Sequence, residues 1–420
     1  MSKNLSQQIN NTARLAKEAS YKLALISRRT KDKALLSMAD ALGKNMGIIL
    51  KANQKDILAA KKTKLSSSLI DRLTLNQKRI QGMSDSFRVI AGLNDPIGEA
   101  IRVQHMPNGL TIRKIRVPLG VIAIIYESRP NVTSDCIGLC LKSGNAVVLR
   151  GGKEAINSNK AIFNILNKAA EDCGIPKGAI NFIDALDKSA VRILIGLNGL
   201  VDLVMPRGGE GLINEIMRFS KIPVIKHYKG ICHIFVDKTA DLEMAQNVSF
   251  NAKVQRPGVC NAMETLLVHK DVASKFLPPM VKKFRQANVE IRGCQKTRKI
   301  IPDVKQAKEI DWATEYLDLI LSVKIVDNLE QAVAHINKYG SMHSDAIMTQ
   351  DKQAAGQFLQ TVDSACVYVN SSTRFTDGGE FGFGAEIGIS TEKLHARGPM
   401  ALEELTTYKY HIIGSGQIRQ

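Results

Sequence analysis

The sequence predicts an α/β fold of two doubly wound domains, on three observations. Short, continuous apolar runs recur, such as VIAII at 121–125 and VDLVM at 201–205. Runs of this kind read as strands buried on both faces of a parallel sheet. Segments of helical periodicity lie between them, and a second series of the same rhythm begins near residue 231. Alternating strand and helix signals argue for parallel sheets covered by helices.

Residues 1 to about 95 read as helices, with apolar residues at three- and four-residue spacing: Leu23, Ile26, Leu35, Met38, Leu42, Ile48 and Leu50. Asn94, Asp95, Pro96 and Gly98 punctuate their end. Residues 101–117 carry Pro107-Asn108-Gly109 and the alternating Leu110, Ile112, Ile115 and Val117, which predict a hairpin or an extended arm. Strands are then expected at 121–125, 146–149, 180–183 and 201–205, with helices at about 157–172 and 187–197. The second series places strands at 231–236, 264–268, 322–326, 346–348 and 366–369, with helices at 239–252, 271–288, 328–339 and 351–361. The tail, 404–414, is again strand-like.

At 420 residues, 44% hydrophobic and 23% charged, the chain fits a soluble protein of two or three domains. Its first residues hold no apolar run of a secretory signal, and no stretch of about 20 apolar residues follows. Cytoplasm is the expected location, without a membrane partner. The seven cysteines are scattered and form no Cys-x-x-Cys pair, so neither a metal site nor a disulfide framework is expected. A net charge of +18 raises the question of nucleic acid. The basic residues, such as Arg28, Arg29, Lys31, Lys33, Lys282, Lys283 and Arg285, are dispersed and not interleaved with aromatics, so solvated faces are expected and no nucleic-acid partner.

Five stretches could carry chemistry. Cys260 sits in Gln255-Arg256-Pro257-Gly258-Val259-Cys260-Asn261, on a predicted loop between a helix and a strand. Catalytic groups favour such loops, and Arg256 could lower the thiol's pKa if close. A lone cysteine is more often a small buried hydrophobe. Tyr126-Glu127-Ser128-Arg129-Pro130-Asn131 leaves the carboxyl end of a predicted central strand, where an Asn amide could meet a developing oxyanion or simply make a turn. Arg150-Gly151-Gly152-Lys153 and Arg207-Gly208-Gly209-Glu210-Gly211 each follow a strand and could offer backbone amides to a pyrophosphate. The run 378–388 is dense in glycine with interleaved phenylalanines, which suits close backbone approach to a ligand better than a slack linker.

In this order the pieces resemble the aldehyde dehydrogenase superfamily, over nearly the whole chain. The stretches are VPLGV at 117–121, YESRPNVT at 126–133, LRGGKEA at 149–155, MPRGGEG at 205–211, QRPGVCNAMETLLVH at 255–269 and FGFGAEIGISTEKLHARGPM at 381–400. Within the superfamily they closely resemble the branch that reduces an acyl phosphate in proline biosynthesis. The resemblance implies a Rossmann-like cofactor domain (1–100 and 118–227), a catalytic α/β domain (228–403) and a small β arm for oligomerisation (101–117 and 404–420). It implies Cys260 as nucleophile and Asn131 as oxyanion donor. It puts Arg150 at the adenosine ribose, with Lys153, Gly208 and Gly209 in the cofactor loops, and Glu315 at the nicotinamide ribose. The substrate's charged head is expected at Gly384, Ala385 and Gly388 with Arg129. The implied cofactor is NADPH, and the implied partners are a small-molecule substrate, further copies of the chain and the kinase that makes the acyl phosphate.

One departure bears on the reaction. Hydrolytic members carry a general-base glutamate where this chain has His227-Tyr228-Lys229-Gly230-Ile231-Cys232. A thioester that must await hydride is better kept from an activated water, so the expectation is reduction of L-glutamyl 5-phosphate to the semialdehyde. An aldehyde-oxidising or CoA-acylating dehydrogenase is the alternative on the same scaffold.

Overall fold

The structure is a computed structural model and describes residues 3–226 and 229–419. It divides into two compact units, Met1–Lys226 with Gly382–Gly388 and Met400–Gln420, and His227–Phe381 with Ile389–Pro399. The run expected to hold the substrate's head, 384–388, thus belongs to the first unit, whereas the sequence reading grouped it with 228–403.

The first unit opens with helices α1 (Lys3–Leu23), α2 (Arg28–Lys44), α3 (Met46–Lys62), α4 (Ser67–Leu73) and α5 (Gln77–Gly92). Ser27 caps α2 by accepting from the Thr30 N–H, and Asn76 caps α5 through Arg79. Strands β1 (Ala100–His105) and β2 (Thr111–Pro118) follow. Next come β3 (Val121–Tyr126), α6 (Asn131–Lys142), β4 (Ala146–Gly151), α7 (Ile156–Glu171), β5 (Ile180–Phe182), α8 (Ser189–Leu194), β6 (Leu203–Arg207) and α9 (Glu210–Phe219). The sheet is parallel in the order β5-β4-β3-β6. Its strands are buried almost throughout, which is why they read as continuous apolar runs. Ile9 and Ala13 of α1, Ala190 and Leu194 of α8 and Ile216 of α9 pack on one face. Strand β6 starts two residues later than expected. The Asp202 carboxylate just before it takes the Val121 N–H and the Lys17 ammonium, both at 2.8 Å.

The second unit holds β7 (Cys232–Val236), α10 (Leu242–Val254), β8 (Met263–His269), α11 (Lys270–Gln286), β9 (Glu290–Gly293), α12 (Gln295–Ile300), β10 (Lys305–Gln306), β11 (Ile320–Val326), α13 (Leu329–Tyr339), β12 (Ser344–Met348), α14 (Lys352–Thr361) and β13 (Cys366–Val369). They form a parallel sheet in the order β10-β9-β11-β8-β7-β12-β13. Phe276, Leu277, Met280 and Phe284 of α11 cover one face, and Ile336 of α13 with Phe358 of α14 cover the other. Strands β9 and β10 were not legible in sequence, being short and polar. Two small strands, β14 (Ile389–Ser390) and β15 (Gly398–Pro399), pair with each other.

The last strand, β16 (Thr406–Ile413), pairs antiparallel with β2 from Thr406↔Pro118 to Ile413↔Thr111, and β1 lies on the other side of β2. The structure therefore joins 101–117 to 404–414 in one sheet, with Ile101, Val103, Tyr408, Tyr410 and Ile412 exposed on it. Not all basic residues are solvated: Lys31, Lys142 and Lys253 are buried against Asp95, Asp32 and Glu264. Among the described residues no helix is long and apolar enough to cross a membrane.

Candidate active site

In the first unit, chain order reverses around β3: β4 lies on one side of it and β6 on the other. Ligands of open α/β sheets bind outside the carboxyl ends of strands at such a switch point. Tyr126 and Arg207 are paired there, and the turns that leave these two residues meet. The Gly209 N–H, at the amino end of α9, donates to Glu127 Oε2 at 2.9 Å. A carboxylate is favoured at a helix amino terminus. Ser128 adopts φ 50° and gives both its N–H and its hydroxyl to Glu154 Oε1, at 2.6 and 2.8 Å. Of the glycine turns that could offer amides to a pyrophosphate, the second has its Gly209 N–H on Glu127, and Glu154 folds back against Gly152 of the first.

Arg150, the penultimate residue of β4, donates to the Leu186 carbonyl at 3.4 Å. Its Nε is buried without a hydrogen-bond partner, a donor that an anionic cofactor group fits. Burial lowers the guanidinium's pKa, while Glu154, Glu127 and Asp187 oppose that shift. Lys153, on the next turn, is exposed and makes no ion pair among the described residues.

Asn131 is the first residue of α6, beyond the carboxyl end of β3. Its amide Nδ2 donates to Asp135 Oδ2 one turn on, at 3.0 Å, which fixes the direction of the side chain. Desolvation pushes the Asp135 carboxyl up to about 6, against the Asn131 bond and the charge of Arg207. Arg207 packs against Gly388, where φ is 143° and a side chain would displace the guanidinium. Gly384 packs on Val89 and Leu93, and Ala385 is partly exposed beside it. Arg207, to which the sequence reading gave no role, is thus a cation placed against this run. Arg129, the candidate named for it, is half-buried three residues after Tyr126.

In the second unit the candidate residues gather at the amino ends of the strands, opposite to the switch-point rule. Cys260 lies in the turn between α10 and β8 and is half-buried. Its carbonyl accepts from the Cys232 thiol at 3.2 Å, and the backbone of Gly230 passes so close that any Cβ there would strike it. The Gly230 N–H donates to Glu315 Oε1 at 2.8 Å, so Cys260, Gly230 and Glu315 are brought together. The stretch beside Leu317, at φ 53°, is held by Glu264, whose Oε1 accepts from the Leu317 N–H at 3.1 Å. Glu264 Oε2 is paired with Lys253 at 2.6 Å, both side chains being fully buried. Burial pushes the Cys136, Cys140 and Cys232 thiols up. His227 and Tyr228 of the stretch expected to lack a general base lie outside the described residues; Lys229, Gly230, Ile231 and Cys232 supply no carboxylate. Among the described residues no group of three or more His, Cys, Asp or Glu is placed to hold a metal ion.

Sequence reasoning missed Cys232, Asn261 and Arg374. Asn261 donates to the Thr376 carbonyl at 2.9 Å, and Thr373 Oγ1 donates to the Asn261 carbonyl at 2.7 Å. The turn of Cys260 is therefore pinned to the segment 373–376, more than a hundred residues away in the chain, and no local pattern signals such a partner.

Comparison with known proteins bears on this arrangement. Residues 1–318 match the model of the aldehyde dehydrogenase family. A gamma-glutamyl phosphate reductase of Caldanaerobacter subterraneus subsp. tengcongensis is 58% identical over 98% of this chain and 100% of its own. The crystal structure of the gamma-glutamyl phosphate reductase of Thermotoga maritima superposes with a TM-score of 0.96 at 48% identity, covering 98% of this chain and 100% of that one. An acetylating aldehyde dehydrogenase of Geobacillus thermoglucosidasius shares the fold, with a TM-score of 0.70 at 19% identity over 99% of this chain and 98% of that one. The chain belongs to the aldehyde dehydrogenase family, in the group of the gamma-glutamyl phosphate reductases.

Proposed function

We propose that the protein reduces L-glutamyl 5-phosphate to L-glutamate 5-semialdehyde and phosphate, the second step of proline biosynthesis, through a thioester on Cys260. The observation that carries this reading is the full-length match to gamma-glutamyl phosphate reductases. In this reading the Cys260 thiolate attacks the acyl carbon and phosphate leaves. Asn131 and the Cys260 N–H hold the oxyanion. A nicotinamide cofactor, when bound, supplies the hydride that takes the thioester to the aldehyde level. Arg150, Lys153, Gly208 and Gly209 hold its adenosine and phosphate end, and Glu315 its nicotinamide ribose. Arg129, Gly384, Ala385 and Gly388 are candidates for the substrate's charged head. The cofactor domain is taken as 1–100 and 118–227, the catalytic domain as 228–403, and the arm of 101–117 and 404–420 as the contact between copies. The protein works in the cytoplasm and receives its substrate from the kinase that makes it. The test is phosphate-dependent reduction of NADP by the semialdehyde; turnover without phosphate, or with CoA in its place, would assign the chain to another reaction.

Two substitutions probe this reading. Asn131→Ala is expected to lower turnover roughly a hundredfold, as loss of an oxyanion donor does, with little change in NADPH binding. Normal turnover with weak substrate binding would make Asn131 a ground-state contact. The choice of NADPH over NADH rests on Lys153, exposed and three residues after Arg150. An ammonium there attracts a 2′-phosphate that a carboxylate would repel. Lys153→Glu should raise the Michaelis constant for NADPH strongly and that for NADH little. Equal changes for both cofactors would remove Lys153 from 2′-phosphate recognition.

A further inference from the structure

The reaction releases an anion beside Cys260, and the second unit places one firmly oriented cation at that turn. Arg374 lies on the short 3-10 turn Thr373–Phe375. Its Nε donates to Gln255 Oε1 at 2.9 Å, and its Nη1 donates to Asn261 Oδ1. Asn261 returns the contact, with Nδ2 to the Arg374 carbonyl at 3.3 Å. The guanidinium thus spans the turn from the residue that follows α10 to the residue that follows Cys260. It is half-buried, and no hydrogen bond engages Nη2 among the described residues. The exposed Arg256 lies on the same turn, close enough for the two guanidinium charges to repel each other. Two like charges at one nucleophile are unfavourable until an anion joins them.

We propose that Arg374 is the residue that binds the phosphoryl group of the acyl phosphate and, in the reverse direction, inorganic phosphate, with Arg256 contributing from the rim. The proposal rests on the reading of function above. The choice among anions follows from where Arg374 is tied. It is bonded to the neighbour of Cys260, so an anion on its fork lies next to the carbon that the sulfur attacks. The phosphoryl group is joined to that carbon through one oxygen, whereas the α-carboxylate is at the far end of the substrate's carbon chain. In the forward step the S–C bond forms and the C–O bond to phosphate breaks. The electron pair goes to the phosphate oxygen, which takes a proton from water, and the N–H groups of the unengaged Nη2 stabilise the charge that gathers there. The same cation attracts a Cys260 thiolate through space before substrate arrives.

The test uses the full-length enzyme in the reverse direction, with NADP, semialdehyde and phosphate, comparing wild type with Arg374→Gln and Arg374→Lys. The Michaelis constant for phosphate should rise about tenfold or more in R374Q and by less in R374K, with that for semialdehyde nearly unchanged. The pH midpoint for alkylation of Cys260 should move up in R374Q. Since Arg374 also braces the turn, melting temperatures are compared, and R374K carries the test where R374Q melts early. An unchanged phosphate constant overturns the proposal. So does a parallel rise in both constants, which a merely structural role gives, or a rise in the semialdehyde constant alone, which assigns Arg374 to the carboxylate. If wild type lacks phosphate-dependent turnover, the functional reading itself falls and the inference with it.

Discussion

Cys260→Ala is expected to abolish turnover, by more than about a thousandfold, while the fold and cofactor binding persist. Covalent catalysis needs a nucleophile, and the rest of the turn, Gln255, Arg256, Pro257, Gly258, Val259 and Asn261, offers none. Cys232 is a neighbouring thiol bonded to this turn, and it cannot take over. It is buried, its Sγ is directed at the Cys260 carbonyl, and burial holds it in the neutral form. That contact uses the backbone of residue 260, so alanine leaves it intact and the turn keeps its shape. Mass spectrometry after brief exposure to semialdehyde and NADP, without phosphate, should show an acyl adduct on wild type and none on the variant. Residual turnover above a few per cent would rule out the thioester.

Lys253→Met is expected to destabilise the protein by roughly 3–5 kcal/mol, because it leaves the Glu264 carboxylate buried without its partner. Burial already pushes Glu264 up from 4.5 to about 7, against the pull of Lys253. With a folded-state pKa above the unfolded one, the group's contribution is complete below about 4.5 and is lost as pH rises towards 7. Removing the ammonium raises the folded pKa further, so the loss continues to higher pH. The deficit of the variant, read from urea unfolding, should therefore be larger at pH 8 than at pH 6. Lys253→Met combined with Glu264→Met should recover much of it, since a packed apolar pair often replaces a buried ion pair without loss. A single variant within about 1 kcal/mol of wild type would mean that water reaches the pair. Activity should fall as well, because Glu264 holds the Leu317 N–H and, through it, the segment that carries Glu315 to Gly230.

The strands that form the sheet centres were legible because burial on both faces writes an unbroken apolar run, as in β3 and β8. Strand β10, two exposed polar residues at a sheet edge, has no such signature. The turns of the candidate site could be found for a related reason: proline and glycine mark where a chain leaves a strand or helix, as at Pro130 and Pro257-Gly258. What occupies those turns was not legible. Glu127 and Glu154 read as ordinary acidic residues of a loop, and only the folded chain shows them accepting amide protons from Gly209 and Ser128. Arg374 and Asn261, separated by 113 positions, meet through tertiary packing that no short-range period encodes. The basic charge was read as uniformly solvated, yet Lys31, Lys142 and Lys253 are interior, because each found a carboxylate from a distant segment or the adjoining strand.

The carboxylate of Glu127 on the Gly209 amide has a consequence for selectivity. A phosphate that came to this helix terminus would not fill a vacant place; it would trade partners with an internal anion. Its measured affinity would then be a difference between two contacts of similar strength, and small for any ion that brought nothing else. Sulfate or free phosphate would gain little from such an exchange, whereas a dinucleotide tethered by its ribose and base at other points would make the swap at high local concentration. If Gly208 and Gly209 hold the cofactor as proposed, a turn built this way would discriminate by multivalency, passing over simple ions and yielding to a ligand already held elsewhere.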